Sequence, residues 1–509
     1  MDDHETSVAS LASQIQQFHR RQQPFRIYHG ATSSTRQSPY SQNNIISTAH
    51  LTHVLQVNRK KQTVLVEPNV PMDQLAQATI THGLVPLVVM EFPGITAGGG
   101  FSGTSGESSS FRHGFFDATV RWVEIILPNG EIRTASPTKD ADLFWGAASA
   151  FGTLGVITML EIQCREAKPY IELQYQTSSN MADAMHLFHD ATADPATEYL
   201  DGVVYARDHI VVCAGRLVES PPSDRKVQRF SRAQDPWFYI HAERSTRPLL
   251  PQGKLTEYVP LEDYLFRYDR GAFWTGRFAY KYFLTPFNRI TRYLLDGFMH
   301  TRVMYHALHQ SGLSNQYIIQ DVAVPFRNAT DEFLAWLEEG GTFNSYPIWL
   351  CPLRQSQHGG LITGRSSEEG SPPVPNEDEY MMNFGLWAPS PFQGNSPEFI
   401  AQNRRLEGQV RKLGGKKWLY ANTYYTEEEF WSIYDRTQYT RLRERYQATY
   451  LPDLYQKVRV NLSPAATDPT WRGWVRGLVK QVWPLQGLYG VYKAWRGGDY
   501  LIQRKNSHV

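Results

Sequence analysis

The chain has 509 residues, 41% of them hydrophobic and 20% charged, with a formal net charge of +1. That length and mixture suit two or three globular domains and exclude a disordered or fibrous chain. The near-neutral balance argues against a nucleic-acid partner, which selects a basic face or stripe.

Three cysteines (Cys164, Cys213 and Cys351) lie far apart and make no C-x-x-C pair, which fits a reducing compartment without a disulfide framework. The N-terminal stretch, residues 1–23, is polar, lacks the apolar core of a secretory signal, and reads as a short helix or frayed tail. No segment reaches the 18 or so apolar residues of a membrane span. Thirteen Trp, 28 Tyr and 25 Phe are enough to fill large cores, and enough also to wall a flat apolar ligand cavity. His186/His189 and His306/His309 are spaced as pairs without an acidic or Cys partner at ligand spacing, so no metal is expected.

In chain order, RIYHGATSSTR (Arg26 to Arg36) reads as a strand running into a turn of small, hydroxyl-bearing residues. VLQVN and TVLVEP are short strands around a charged turn. MDQLAQATITHG is a helix closed by Gly83. LVPLVV is a buried strand. VRWVEIILPNGEIRTAS is a hairpin in which Asn129-Gly130 suits a type I′ turn. DADLFWGAASA is a helix starting near Asp140, and FGTLGVITMLEIQC runs through glycine into a strand. From residue 168 strands alternate with helices. His358 to Asp378 is a Gly/Ser/Pro-rich loop, Ser463 to Thr470 a second break. From Asp468 to the end seven Lys/Arg stand against two Asp, among Trp, Tyr, Leu and Val.

The most informative stretch is GITAGGGFSGTSGESSSFRHG, Gly94 to Gly114, where seven of 21 residues are glycine and five are serine. It contains G-x-G-x-x-G at Gly98, Gly100 and Gly103. A Rossmann fingerprint needs a helix opening on the glycines, and the following GTSGESSSFRHG is too rich in Gly and Ser for that. A linker does not sit inside an unbroken αβ pattern. What remains is a loop whose bare backbone approaches a ligand, its N–H groups forming an anion nest and Ser108, Ser109 and Ser110 adding hydroxyls.

The order R-x-Y-H-G, V-x-V-E-P, T-x-G-G-x-x-x-G-T-x-x-E-S-S-S, L-P-N-G, D-L-F-W and G-T-L-G resembles the flavin domain of the vanillyl-alcohol-oxidase/PCMH superfamily and, within it, the Δ24-sterol reductase (Diminuto) family. DPWFYIH, QDVAVP, YPIWLCP and YANTYYTEEEFWSIYD continue the resemblance over about residues 24 to 460.

The resemblance implies an α+β chain: a two-subdomain PCMH-type FAD-binding domain over 24–167 and an α/β substrate (cap) domain over 168–460 whose last helices return to the first; a basic aromatic extension over 461–509 lies beyond it. It implies bound FAD on two loops and a turn. The first loop is His29, Gly30, Ala31, Thr32, Ser33, Ser34 and Thr35. The second is Thr96, Ala97, Gly98, Gly99, Gly100, Phe101, Ser102, Gly103, Thr104, Ser105, Gly106, Glu107 and Ser108. The turn is Gly152, Gly155, Val156 and Ile157. No His follows Gly30, so the FAD is expected to be non-covalent; His113 reads either as facing the flavin or as a surface residue beside the loop.

The implied reaction is reduction of an isolated C=C bond of an apolar sterol- or terpenoid-like molecule with NADPH as donor. It needs an acid, for which Asp321, Tyr346, Tyr420, Tyr424 and Glu428 are candidates, each with a structural role as alternative. A flavin oxidase or dehydrogenase, a redox-neutral cyclase and, last, a binding module are rival readings on the same fold. Animal and plant members carry an N-terminal membrane helix. Here the aromatic, basic segment Trp471–Trp495 suits either a peripheral membrane helix or a helix packed on the protein's own body. The expected location is the cytoplasmic side, soluble or peripheral at the endoplasmic reticulum, and not secreted.

Overall fold

The computed structural model describes residues 2–30, 40–326, 329–339, 343, 346–355, 360, 380–392, 394, 396–460, 482–497 and 502–503. Two antiparallel sheets organise them. The first contains β1 (Val54–Asn58), β2 (Thr63–Val66), β3 (Leu84–Pro86), β4 (Val120–Ile126), β5 (Ile132–Ala135) and β6 (Val156–Glu166). Its order is β1-β2-β6-β4-β5, with β3 paired to the end of β6. The second contains β7 (Tyr170–Ser178), β8 (Tyr199–Ala206), β9 (His209–Val218), β10 (Lys254–Pro260), β11 (Tyr317–Pro325), β12 (Ile348–Arg354), β13 (Tyr380–Pro389) and β14 (Lys416–Lys417). Its order is β10-β7-β9-β8-β12-β13-β11-β14.

The fold is α+β, as expected, with helices and a sheet in the cap half as well as in the first. The strands of the second sheet pair antiparallel throughout. Helices flank it, and β8, β11, β12 and β13 are buried almost end to end. A strand covered on both faces loses the alternation that marks a one-sided antiparallel sheet, so its direction is not written in the local pattern.

The polar N-terminal stretch is also more than a tail. Helix α1 (Asp2–Arg20) buries Val8, Leu11 and Ile15 against Ile46, Ile126, Val156 and Leu451. His4 is buried between the carboxylates of Glu67 (2.8 Å) and Glu124 (3.2 Å). One apolar residue per helical turn is enough to seat a helix whose mean composition is hydrophilic.

The hairpin between β4 and β5 does not use a type I′ turn. Gly130 alone has φ of +89°, and Leu127 C=O accepts from Gly130 N while Leu127 N donates to Glu131 C=O, both at 2.8 Å. Pro128 at the first turn position holds a negative φ, which selects the three-residue hairpin with a left-handed glycine.

The largest core runs without a break from the first sheet to the second, joining Val123, Leu160 and Phe116 to Tyr268, Phe273, Trp349 and Trp418. The last helices return to the first half: Tyr439 Oη donates to Thr153 Oγ1 (2.8 Å), Arg445 pairs with Asp142 (2.7 Å) and Tyr450 Oη donates to Pro128 C=O (2.6 Å).

Candidate active site

The glycine stretch is helical where the sequence suggests an open loop. Ala97–Ser102 forms a short helix, α2, capped by Thr96, whose Oγ1 accepts from Gly99 N at 3.2 Å. Tertiary packing overrides the poor helix propensity of three successive glycines. A Cβ on Gly98 would lie 2.6 Å from Pro68 Cβ, and one on Gly100 2.7 Å from Met90 Cε. These two glycines serve close packing inside the protein. Gly99 is different: it is exposed, and a Cβ there would meet only Thr96 Oγ1.

After α2 the chain presents four successive backbone N–H groups, from Gly103, Thr104, Ser105 and Gly106, that have no hydrogen-bond partner among the described residues. Thr104 is buried at φ +60°, an unusual conformation for a β-branched residue, and its Oγ1 is unpaired. Facing this run, Ser149 N donates to Phe101 C=O and Phe151 N to Ser102 C=O, both at 2.9 Å. Ser149 (φ +59°) and Phe151 (φ +53°) are also left-handed, and Ser149 Oγ is buried and unpaired.

Strained backbone, unpaired buried hydroxyls and open N–H groups thus converge on one place, the arrangement of a binding site for an oxygen-rich ligand. Those residues fit a flavin nucleotide. Sequence reasoning missed Ser149 and Phe151, because nothing in AASAFG signals a left-handed serine.

Other expected cofactor residues are placed differently. Ser108 is fully buried with Oγ on the Glu107 carboxylate (2.8 Å), and Ser109 Oγ bonds Glu107 and Leu87 C=O. Glu107 N donates to Ser110 Oγ at 2.9 Å. The serines and Glu107 hold one another, correcting the expectation that their polar groups face the cofactor.

Val156 and Ile157 are buried β6 residues. Gly152 (φ +72°) abuts Ile27, and a Cβ on Gly155 would lie 2.7 Å from Ile126 C=O. His29 is half-buried beside Gly30; burial, then the charge of Lys457, lowers its pKa to about 4. Ala31 to Thr35 lie outside the described residues. His113 is not a surface side chain: its Nε2 is buried and unpaired, and burial, then Arg165, Arg112 and Arg354, lower its pKa to about 4.

The acid candidates separate. Asp321 on β11 is 1% exposed. Oδ1 accepts from Asn383 Nδ2 (3.3 Å), Oδ2 from Trp387 Nε1 (3.1 Å), and Tyr420 also bonds this carboxyl. Asn383 Oδ1 in turn accepts from Trp418 Nε1 at 2.7 Å, and the Trp418 ring meets Phe115 from the first half at 5.0 Å. Gly385 sits opposite Asp321 in the β11/β13 register, where a Cβ would lie 3.1 Å from Oδ1. Burial raises the Asp321 pKa to about 6, against the three hydrogen bonds.

Burial, then Asp321, pushes the Tyr420 hydroxyl well up. Tyr346 instead donates to Glu338. Glu428 is an exposed first-turn residue of the helix Glu427–Ile433, and Tyr424 packs in the second sheet's own core. The structure therefore joins Asp321 with Tyr420 and leaves Tyr346, Tyr424 and Glu428 in other surroundings.

Aromatic rings stand over this carboxyl. Trp387 meets Phe273 at 4.6 Å and Phe92 at 5.5 Å, and Phe273 meets Trp349 at 5.3 Å. A buried polar set lies beside them. Arg267 Nη2 (2.8 Å), Tyr268 Oη (2.8 Å) and Trp349 Nε1 (3.1 Å) all donate to Asp201 Oδ2. Glu91, adjacent to Phe92, has a buried, unpaired Oε1. Burial and the charge of Glu107 raise its pKa well above the usual carboxylate range, partly offset by Arg267. A lone acid inside LVPLVVMEFPG was the available signal for Glu91.

A family model described as an FAD binding domain matches residues 5–136. Delta(24)-sterol reductase of Homo sapiens is 27% identical over 470 residues, covering 89% of this chain and 86% of that one. Delta(24)-sterol reductase of Arabidopsis thaliana is 27% identical over 427 residues, covering 78% of this chain and 73% of that one. The chain therefore carries an FAD-binding domain and is similar to the Δ24-sterol reductases along most of its length. Its cofactor is FAD and its class that of FAD-dependent oxidoreductases. Cytokinin dehydrogenase 7 of Oryza sativa subsp. japonica is similar over a shorter stretch, 30% identical across 132 residues and 25% of each chain. The family model begins at residue 5, inside α1, which agrees with the packing of that helix on the first half.

Proposed function

We propose that the chain reduces an isolated C=C bond of an apolar, sterol- or terpenoid-like lipid with NADPH as electron donor, working at a membrane surface on the cytoplasmic side of the endoplasmic reticulum. The observation that carries the reading is the buried Asp321 carboxyl with its raised pKa, held beneath a wall of Phe92, Phe273, Trp349 and Trp387. FAD, when bound, supplies hydride chemistry. The N–H groups of Gly103 to Gly106 with Thr104 Oγ1 and Ser149 Oγ are the groups we assign to holding it, together with the turn at Gly152.

An unactivated alkene does not accept hydride until a proton reaches one of its carbons. Asp321 carries that proton on its carboxyl oxygen in this reading and takes a replacement from solvent after turnover, while the Tyr420 hydroxyl, which keeps its own proton, holds the carboxyl by a hydrogen bond. Asn383 and Trp387 orient the carboxyl. The aromatic wall excludes water, so the proton has no better acceptor than the substrate.

The test is an anaerobic absorbance titration with NADPH, followed by addition of a Δ24-unsaturated sterol. Bleaching of the flavin band and its return with the alkene is expected. A flavin band that NADPH leaves unchanged would overturn the reductase reading in favour of an oxidase or cyclase.

A further inference from the structure

The residues with the most exposed apolar side chains are not scattered. Helix α3 (Thr275–Tyr282) leads through Leu284 to α4 (Arg289–Leu294), and Tyr280 Oη ties the two by donating to Thr291 C=O at 3.1 Å. Helix α5 (Thr301–Ser311) follows. Far along the chain, α6 (Leu485–Arg496) packs on α5, its Gly490 so close to Ala307 that a Cβ would clash with the carbonyl there. Trp483 Nε1 donates to Tyr282 C=O at 2.8 Å and Gly487 N to Tyr282 Oη at 3.2 Å, so α6 adjoins the α3–α4 corner.

On α4 and its approach, Leu284 is 74% exposed, Ile290 71% and Leu294 70%. On α6 the exposed residues are Leu485, Leu488, Tyr492 and Trp495, the last 72% exposed, with Trp483 just before the helix. Their spacing of three, four and three residues makes one stripe, opposite the glycines that pack inward. Exposed apolar side chains gathered on two elements that meet at one corner mark an interaction site.

The charges choose its partner. Residues 275–296 carry Arg277, Lys281, Arg289 and Arg292 against one acid, Asp296; residues 482–497 carry Lys493 and Arg496 and no acid. Asp296 is taken up by Arg270 at 2.7 Å and by His300. Arg292 is buried beneath Trp237 and Phe287. Arg277, Lys281, Arg289 and Arg496 are exposed, so the outward charge around the stripe is basic.

A second copy of the chain docking here through a two-fold axis would bring like charges together. Trp, Tyr and aliphatic side chains ringed by Lys and Arg match the boundary between acyl chains and anionic headgroups. We propose that α4 and α6 form a two-element foot that seats the protein on an anionic bilayer surface without crossing it. The foot deepens the membrane reading above and does not depend on which lipid is reduced.

The test is co-sedimentation of the full-length holoprotein with vesicles of phosphatidylcholine containing phosphatidylserine, compared with phosphatidylcholine alone. Each exposed basic residue near an anionic surface is expected to contribute on the order of fivefold in affinity, so binding should need phosphatidylserine and weaken as salt is raised. The double variants Ile290→Glu/Leu294→Glu and Leu488→Glu/Trp495→Glu should each lose at least about tenfold in vesicle affinity. Their FAD content, NADPH-dependent bleaching and elution volume should be unchanged, which separates loss of the foot from misfolding and from failure of the flavin reading. The foot is overturned by a wild-type protein that stays in the supernatant with phosphatidylserine vesicles, or by variants that still bind them equally well. It is equally overturned by a wild-type dimer that the substitutions disperse without any vesicle binding.

Discussion

Asp321 concentrates the chemistry proposed for this chain at one carboxyl, and its environment fixes the sign of its pH dependence. Its pKa is raised by burial to about 6. A proton donor with that value is increasingly deprotonated above about pH 6, so the rate of the alkene step is expected to fall as pH rises through that value. Asp321→Asn should lower turnover by about 100-fold or more while leaving NADPH-dependent bleaching intact. The same raised value makes the charged carboxyl a liability above its folded-state pKa. Asp321→Asn is therefore expected not to lower the melting temperature at pH 7.5.

At the glycine stretch the structure chooses between positions that look alike in sequence. A side chain on Gly103 would meet Gly99 C=O at 2.6 Å, whereas one on Gly99 meets a single hydroxyl and otherwise open space. Gly99→Val is expected to abolish FAD retention with the apoprotein's unfolding midpoint nearly unchanged; Gly103→Val should destabilise the apoprotein itself. Thr104→Val removes a buried, unpaired hydroxyl. An unpaired buried polar group costs about 1–3 kcal/mol, so this variant should stabilise the apoprotein by up to roughly that amount and weaken FAD binding about tenfold, read by urea unfolding and fluorescence titration.

Helix α5 shows how an element's end is built from groups distant in sequence. Asp269 accepts from Thr301 N at 3.0 Å and from His300 Nδ1 at 2.5 Å, satisfying the first turn and holding an imidazolium where the helix dipole disfavours it. The hydrogen bonds to Asp269 and Asp296 raise the His300 pKa to about 9. The stability from this pairing is complete below about pH 6.5, the ordinary histidine value, and is lost as pH rises through about 9. Because His300 is about one-third exposed, the expected loss is only about 1–2 kcal/mol. Urea unfolding at pH 6.5 and 9.5 should show this difference in the wild type and not in His300→Gln. Helix α1 makes the complementary point: its few buried side chains, above all Leu11 and Ile15, seat a polar helix on the first sheet. Leu11→Ala is expected to cost about 2–4 kcal/mol.

Across the whole molecule, one apolar core joins the two sheets, and the Phe115–Trp418 contact carries the FAD-binding half directly to the carboxyl network of the other. Arg302 adds a two-pronged ion pair to Asp73 from across the same junction. The halves are expected to unfold together, with flavin release and tryptophan fluorescence changing at one temperature during heating. Two separated transitions would show that the shared core contributes less than its extent suggests.

The sequence by itself determined what short-range chemistry can encode. Glycine spacing, the strands around it and the ordered motifs from Arg26 to Asp435 were enough to point to FAD and to the resemblance to the Δ24-sterol reductases. Asp321 was visible as one acid among several in those motifs. Only the tertiary structure decided which of the candidates share a site, because Asp321 and Tyr420 are brought together by strand pairing and a returning loop that no local periodicity records. It alone exposed the left-handed Thr104 and Ser149, whose strain comes from packing against α2, and the inward-facing serines after Glu107. The antiparallel pairing of the cap strands came from the structure alone, because burial on both faces erases the alternation that would mark it. For α6 the sequence left a peripheral and a packed helix both open, because a helix reveals its outward face only once Gly487 and Gly490 have found what they pack against.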